Sequence, residues 1–106
     1  MNKVCLIGFI TKDVELRFTK TNFKIANFTL AVTRETKNKD GEYESDYISC
    51  VAYGNTAELV CKFLEKGSKI SVEGHIQTGS YENKEGKKVY TTDVAVEKVQ
   101  FLDSKK

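Results

Sequence analysis

Tyr47-Ile48-Ser49-Cys50-Val51-Ala52-Tyr53-Gly54 alternates with the period of two at which successive side chains of a β-strand point to opposite faces. Ile48, Cys50 and Ala52 fall on one face, which is apolar and suited to a core. Tyr47, Ser49, Val51 and Tyr53 fall on the other, so two large rings share a strand face that also carries a hydroxyl. A second stretch repeats the arrangement. Ile70, Val72, Gly74 and Ile76 line one face, while Ser71, Glu73, His75, Gln77 and Tyr81 line the other.

Rings spread over the polar face of a sheet form a stacking platform. Any unpaired base has a π-face, and each base–ring stack contributes about 1 to 3 kcal/mol by alanine substitution, so such platforms suit single-stranded nucleic acid. The plainer reading is that tyrosine is a good strand former which often lies half-buried with its hydroxyl in water. A second protein chain would cover such rings equally well.

Working outward from the tyrosine strand, Lys3 to Ile10 is apolar on both parities, Val4, Leu6 and Ile10 against Cys5, Ile7 and Phe9. That pattern predicts a strand covered on both faces, the second by another subunit, with Gly8 at a bulge or bend. A basic segment with Lys12, Arg17, Lys20 and Lys24 follows. Lys24 to Thr36 then reads as a second strand, with Ala26, Phe28, Leu30 and Val32 inward and Asn27, Thr29, Ala31 and Thr33 outward. Lys37-Asn38-Lys39-Asp40-Gly41-Glu42 is a hairpin turn in which Asp-Gly supplies positive φ. Beyond the tyrosine strand, Asn55-Thr56-Ala57-Glu58 predicts a helix start capped by Asn55 with Glu58 reaching back, and Gly67 closes the helix. Ala57, Val60, Cys61 and Leu64 form its buried stripe. A fourth strand covers Ser68 to Tyr81, the loop Glu82 to Lys87 turns the chain, and a fifth covers Lys88 to Phe101.

The order is strand, strand, strand, helix, strand, strand. One helix between the third and fourth of five strands predicts an all-β, five-stranded Greek-key OB-fold barrel whose helix plugs one end. The absence of proline fits strands that donate every ladder hydrogen bond.

At 106 residues the chain reads as one domain over 1–106, and 40% hydrophobic with 30% charged residues is ordinary for a globular protein. No apolar run is long enough to span a bilayer, and the N-terminus runs directly into a strand pattern, so the expected location is cytoplasmic, beside the nucleoid. Cys5, Cys50 and Cys61 have no CxxC spacing and His75 is the only histidine, which predicts no metal site and no disulfide framework; the cysteines read as small buried hydrophobes. No nucleophile–base set, Walker loop or GxSxG emerges, so neither catalysis nor a cofactor is expected. The net charge of +2 is small. It permits a polyanion partner where cations gather beside rings, as Arg34 does beside Thr33, Lys62 and Lys66 on the helix, and Lys84, Lys87 and Lys88 after Tyr81. From Arg34 to Tyr47, by contrast, Glu35, Asp40, Glu42, Glu44 and Asp46 outnumber Arg34, Lys37 and Lys39, making that hairpin arm net negative.

From end to end the sequence resembles the bacterial and phage single-stranded DNA-binding protein family, the homotetrameric type with one OB fold per subunit. The resemblance is carried by Met1-Asn2-Lys3-Val4 with Leu6 and Gly8; Asp13 with Glu15-Leu16-Arg17; Ala26-Asn27-Phe28-Thr29-Leu30-Ala31-Val32; Gly54 with Ala57-Glu58; Lys66-Gly67-Ser68; Val72-Glu73-Gly74; and Gly86-Lys87 through Tyr90-Thr91-Thr92 to Val99-Gln100-Phe101-Leu102. It implies sequence-independent wrapping of single-stranded DNA around a homotetramer in replication, recombination or repair. Family stacking positions match Tyr47, Tyr53 and Tyr81, and basic positions match Lys3, Arg17 and Lys66. With the residues' own pattern, the implied DNA-binding set is Lys3, Arg17, Thr33, Arg34, Tyr47, Tyr53, Lys62, Lys66, Tyr81, Lys87 and Lys88. The implied oligomer interface is Cys5, Ile7, Phe9 and His75. An arm aromatic of the family falls here near Glu35 or Thr36, Asn55 stands for a frequent lysine, and Gln77, Gly79 and Ser80 stand where some members are basic. The family's acidic, Phe-ended tail has no counterpart before Lys106, which leaves open which replication and repair proteins the chain meets. A second reading from another class is an OB-fold adaptor of the primosomal kind, docking replication proteins with secondary DNA contact.

Overall fold

The computed structural model describes residues 1–102; the polar end Asp103 to Lys106 lies outside the described residues. The strands are β1 (Val4–Ile10), β2 (Glu15–Phe18), β3 (Lys24–Lys37), β4 (Tyr43–Tyr53), β5 (Lys69–Glu82) and β6 (Lys88–Phe101), with α1 (Gly54–Phe63) between β4 and β5. Strand order is β1-β5-β6-β4-β3-β2, and a further β1–β3 pairing closes β1, β5, β6, β4 and β3 into a five-stranded barrel. The five expected strands are therefore the barrel. The basic segment before β3 is not all loop: it adds β2 to the outer edge of β3, pairing Arg17 with Ile25 and Glu15 with Asn27.

Closure rests on two short seams. Phe9 and Ile10 of β1 pair with Ala31 and Leu30 of β3, and Cys50 and Val51 of β4 run parallel to Val94 and Ala95 of β6. β1 leaves β5 for β3 around Gly8, where a Cβ would stand 2.3 Å from the Ala31 carbonyl oxygen. Gly8 thus serves close backbone approach rather than a bulge. The barrel's irregularity lies on β6 instead, where Glu73 pairs with Lys98 and Gly74 with Val96, leaving Glu97 without an opposite residue. At Gly74 an added Cβ would lie 2.1 Å from the Ala95 carbonyl oxygen.

The predicted inward residues make the core: Ala26, Phe28, Leu30, Cys50, Ala52, Ile70 and Val72 are buried, with Ile10, Val94 and Val96. Ala57, Val60 and Leu64 of α1 and its exit join them and Cys61 packs against them, so one helix stripe seals the barrel end. The helix boundaries differ from the expectation. Tyr53 occupies the N-cap position with no side-chain cap, and the helix ends at Phe63 with Leu64 extended. Asn55 lies inside the helix, and Glu58 pairs with Lys24 of β3 instead of reaching back. Gly67 belongs to the following turn, in which the Ser68 N–H donates to the Glu65 carbonyl, so Lys66 also lies beyond the helix. The cysteines separate as well: Cys50 is buried and Cys61 half-buried, but Cys5 is exposed, which corrects its reading as a buried hydrophobe.

Both long hairpins turn in the same way. Asn38 Oδ1 accepts the N–H groups of Asp40 and Glu42, and Asn83 Oδ1 accepts those of Glu85 and Lys87. Gly41 and Gly86 stand at φ 77° and 79° in these turns. Asn-Lys-acid-Gly is thus one turn used twice, each projecting two strands beyond the barrel.

Candidate nucleic-acid interface

The register fixes which side chains share the barrel's outer surface. Across β3 and β4, Ile25 pairs with Tyr53, Asn27 with Val51, Thr29 with Ser49, Ala31 with Tyr47 and Thr33 with Ser45. Every one of these lies on the parity opposite the core residues Ala26, Phe28, Leu30, Cys50 and Ala52. β2 extends the rows: Arg17 beside Ile25 and Tyr53, Glu15 beside Asn27 and Val51. With strands about 4.8 Å apart, Arg17 stands about 10 Å of backbone from Tyr53, on the same surface. Its guanidinium donates to Asn27 Oδ1 at 3.3 Å, which aims it along this face.

The rings lie outside the core. Tyr47 is 70% exposed and Tyr81 57%. Tyr53 is half-buried because Phe23 stacks on it, centroids 6.4 Å apart and planes inclined by 18°. Nothing in the pattern of Thr21-Asn22-Phe23 marks Phe23 for this role. Thr19 Oγ1 accepts the N–H groups of Thr21 and Phe23, and Asn22 takes positive φ at 62°, folding the β2–β3 turn so that Phe23 reaches Tyr53. Outer-face residues of β5 and β6 continue the surface: Gln77 pairs with Asp93, Gly79 with Thr91 and Tyr81 with Val89. Gln77 Nε2 stands 3.5 Å from the Tyr53 hydroxyl, at the outer limit of a hydrogen bond, and joins the two tyrosine strands.

The cations divide. Arg17 shares the tyrosine face, and Lys87 lies at the β5–β6 turn, its N–H bonded to Asn83. Lys3 is 3.8 Å from Glu73, an exposed pair of the kind worth little in water and readily exchanged for a phosphate. Lys88 pairs with Glu82 on the parity opposite Tyr81 and lies 5.7 Å over Tyr90. Lys62 stands 5.5 Å over Phe63 at the end of α1, and the Lys66 N–H donates to Asp13. Neither is brought to the tyrosine face by strand pairing.

Arg34 is committed to the arm's own carboxylates. Its Nη2 is 2.8 Å from Asp46 Oδ1, its Nε reaches both Asp46 oxygens at 3.1 and 3.2 Å, and its Nη1 is 3.4 Å from Glu44. These hydrogen bonds hold the Asp46 carboxyl below the usual carboxylate range and raise the guanidinium. Thr33 instead faces the tyrosine side, its hydroxyl 3.3 Å from that of Ser45. A further ring on β4, Tyr43, pairs with Lys37, whose Nζ lies 5.7 Å from its centroid.

The expected oligomer-interface residues also collect on one surface. Cys5 pairs with Glu73, Ile7 with Ser71 and Phe9 with Lys69, on the parity that also carries His75. Ile7 is 57% and Phe9 45% exposed, so the second apolar face of β1 is uncovered in a single chain. His75 Nδ1 sits 2.7 Å from Glu97, the extra residue of the β6 bulge. Among the described residues no helix is long and apolar enough to cross a membrane.

Residues 1–102 match the family model described as "Single-strand binding protein family". The chain is 51% identical over 105 residues to "Single-stranded DNA-binding protein 3" of Listeria innocua, covering 99% of this chain and 66% of that protein. It is 49% identical over 105 residues to "Single-stranded DNA-binding protein A" of Bacillus subtilis, covering 99% and 61%, and 47% identical over 105 residues to "Single-stranded DNA-binding protein 1" of Streptococcus pyogenes, covering 99% and 81%. The chain spans just under two thirds of the Listeria and Bacillus relatives. A closed barrel with an outward row of tyrosines, matched from Met1 to Leu102, places this chain in the single-strand binding protein family.

Proposed function

We propose that this chain binds and protects single-stranded DNA without regard to sequence, during replication, recombination or repair. Bases stack on Tyr47, Tyr53 and Tyr81, and phosphates are met by Arg17, Lys3 and Lys87, with Lys62, Lys66 and Lys88 adding longer-range attraction. The observation that carries this reading is the outer row of β2, β3 and β4, in which Arg17, Tyr53, Tyr47 and the Thr33–Ser45 hydroxyls share one surface facing away from the core. Its support from similarity is the family match and the printed names of the relatives. Neither favours the adaptor reading.

The acting form is a homo-oligomer, a tetramer, joined through the uncovered face of β1 with Cys5, Ile7, Phe9 and His75. It works in the cytoplasm on DNA, with no cofactor and no catalysis. The test is a titration with oligo-dT, followed by quenching of tyrosine emission, over a salt series and against duplex of equal length. Binding that weakens linearly in log–log salt, with a slope of about −0.7 per phosphate contact, and that prefers single strands is the expected result. Absence of quenching at low salt overturns the proposal.

A further inference from the structure

The geometry points to Tyr43 as an additional base-stacking position on the β3–β4 arm, an inference that rests on the single-strand-binding reading above. β4 runs unbroken from Tyr43 to Tyr53, and the register shift between Thr33 and Lys37 leaves its additional residues on β3. Alternation therefore puts Tyr43, Ser45 and Tyr47 on the same face. Four residues at about 3.4 Å each separate the Tyr43 and Tyr47 backbones by roughly 14 Å, continuing the row that ends at Tyr53. At 56% exposed, the Tyr43 ring is open to solvent where it projects beyond the barrel. Lys37 places its ammonium near that ring and has no ion pair among the described residues.

The arm's negative charge stands against a phosphate track only if the carboxylates share the tyrosine face. Glu44 and Asp46 do not. They occupy the alternate positions of β4, and both are bound by Arg34, while Asn38 Nδ2 also donates to Glu44 at 3.4 Å. The arm is thus two-sided, with an Arg34–Glu44–Asp46 cluster behind and Tyr43, Lys37, the Thr33 and Ser45 hydroxyls and Tyr47 in front. Arg34 neutralises the two carboxylates that alternation has already turned to the back. Glu35 lies in the irregular stretch of β3 between Thr33 and Lys37, and Asp40 and Glu42 flank Gly41 at the turn; with Glu44 and Asp46 turned away, the stretch from Tyr43 to Tyr47 presents a ring, a cation and hydroxyls, the groups that an unpaired base and its phosphate use.

The chain contains no tryptophan, so Tyr43→Trp installs a single reporter at this position. On titration with oligo-dT the indole emission of that variant is quenched, saturating with the tyrosine signal. Tyr43→Ala weakens binding roughly tenfold, within the range of one lost base stack, Tyr43→Phe retains parent affinity, and thermal unfolding stays unchanged. An unquenched indole in the Tyr43→Trp variant, or Tyr43→Ala binding like the parent while Tyr53→Ala is weakened, overturns this inference and leaves the binding reading standing. If the parent chain does not bind oligo-dT, both fall together.

Discussion

Phe23, at the end of the β2–β3 turn, stacks on Tyr53, the last residue of β4, with the ring planes only 18° apart. The contact covers part of Tyr53 and holds its ring in one orientation, so less side-chain freedom is lost when a base arrives. It also ties the edge hairpin to the barrel at the row containing Arg17.

For the platform, the prediction is graded. Tyr81→Ala lowers oligo-dT affinity by about 1 to 3 kcal/mol with no change in thermal midpoint, because the ring is exposed. Tyr53→Ala loses a similar amount of binding and some stability as well, since its stack on Phe23 goes with it. Phe23→Ala costs less affinity than either. Fluorescence titration beside thermal melts reads all three, and an unchanged affinity for Tyr81→Ala and Tyr53→Ala in folded protein assigns those rings to packing alone.

Cysteine labelling reports the oligomer. Burial, with the charge of Asp93 adding, pushes the Cys50 thiol up to about 12, and burial raises Cys61. Both resist alkylation in the folded protein. Cys5 is exposed in one chain, so in the proposed assembly it reacts slowly at high protein concentration and quickly on dilution. Ile7→Asp leaves Cys5 reactive at every concentration and lowers the mass seen in sedimentation. Equal Cys5 rates across concentrations, with a constant mass, remove β1 from the interface.

Arg34 sets the acid behaviour of the arm. Asp46 is held below its ordinary value of 3.8, so its pair with Arg34 is intact at neutral pH and is lost as pH falls through that lowered value. Because the pair is exposed, its loss loosens the arm without unfolding the barrel. Carboxyl NMR is expected to show an Asp46 midpoint below 3.8 that returns towards it in Arg34→Ala. An Asp46 midpoint unaffected by that substitution contradicts the two-sided arm.

Barrel closure depends on two missing side chains. Gly8→Ala and Gly74→Ala each drive a methyl group to within 2.3 Å of a carbonyl oxygen, against backbone that cannot yield without opening a seam. A loss of at least about 1 to 3 kcal/mol in urea unfolding is expected for each, the usual range for overpacking. Parent-like stability in either variant means that the strands at that crossing part more easily than the pairing suggests.

Local pattern was sufficient wherever one face of a strand is wet and the other dry. The parity that set Ile48, Cys50 and Ala52 against Tyr47 and Tyr53 is the parity of the folded barrel, and β6 begins and ends at Lys88 and Phe101, as expected from the turn that precedes it. The helix ends were less legible. Asn55 and Gly67 carry the right chemistry for caps, yet the chain enters the helix from β4 at Tyr53 and leaves at Leu64, because barrel geometry dictates where α1 fits. β2 escaped notice because all four of its residues are exposed and show no burial period.

What the residues by themselves determined is the outward placement of Tyr47, Tyr53 and Tyr81, since a two-residue repeat leaves each ring only one alternative face, already filled by the core. Tertiary structure alone decided that Phe23 meets Tyr53 and that Arg34 serves Glu44 and Asp46. These are contacts between segments or across a hairpin, set by register and turn geometry. A charge count along the chain sums both faces of a strand, and only pairing in space separates them.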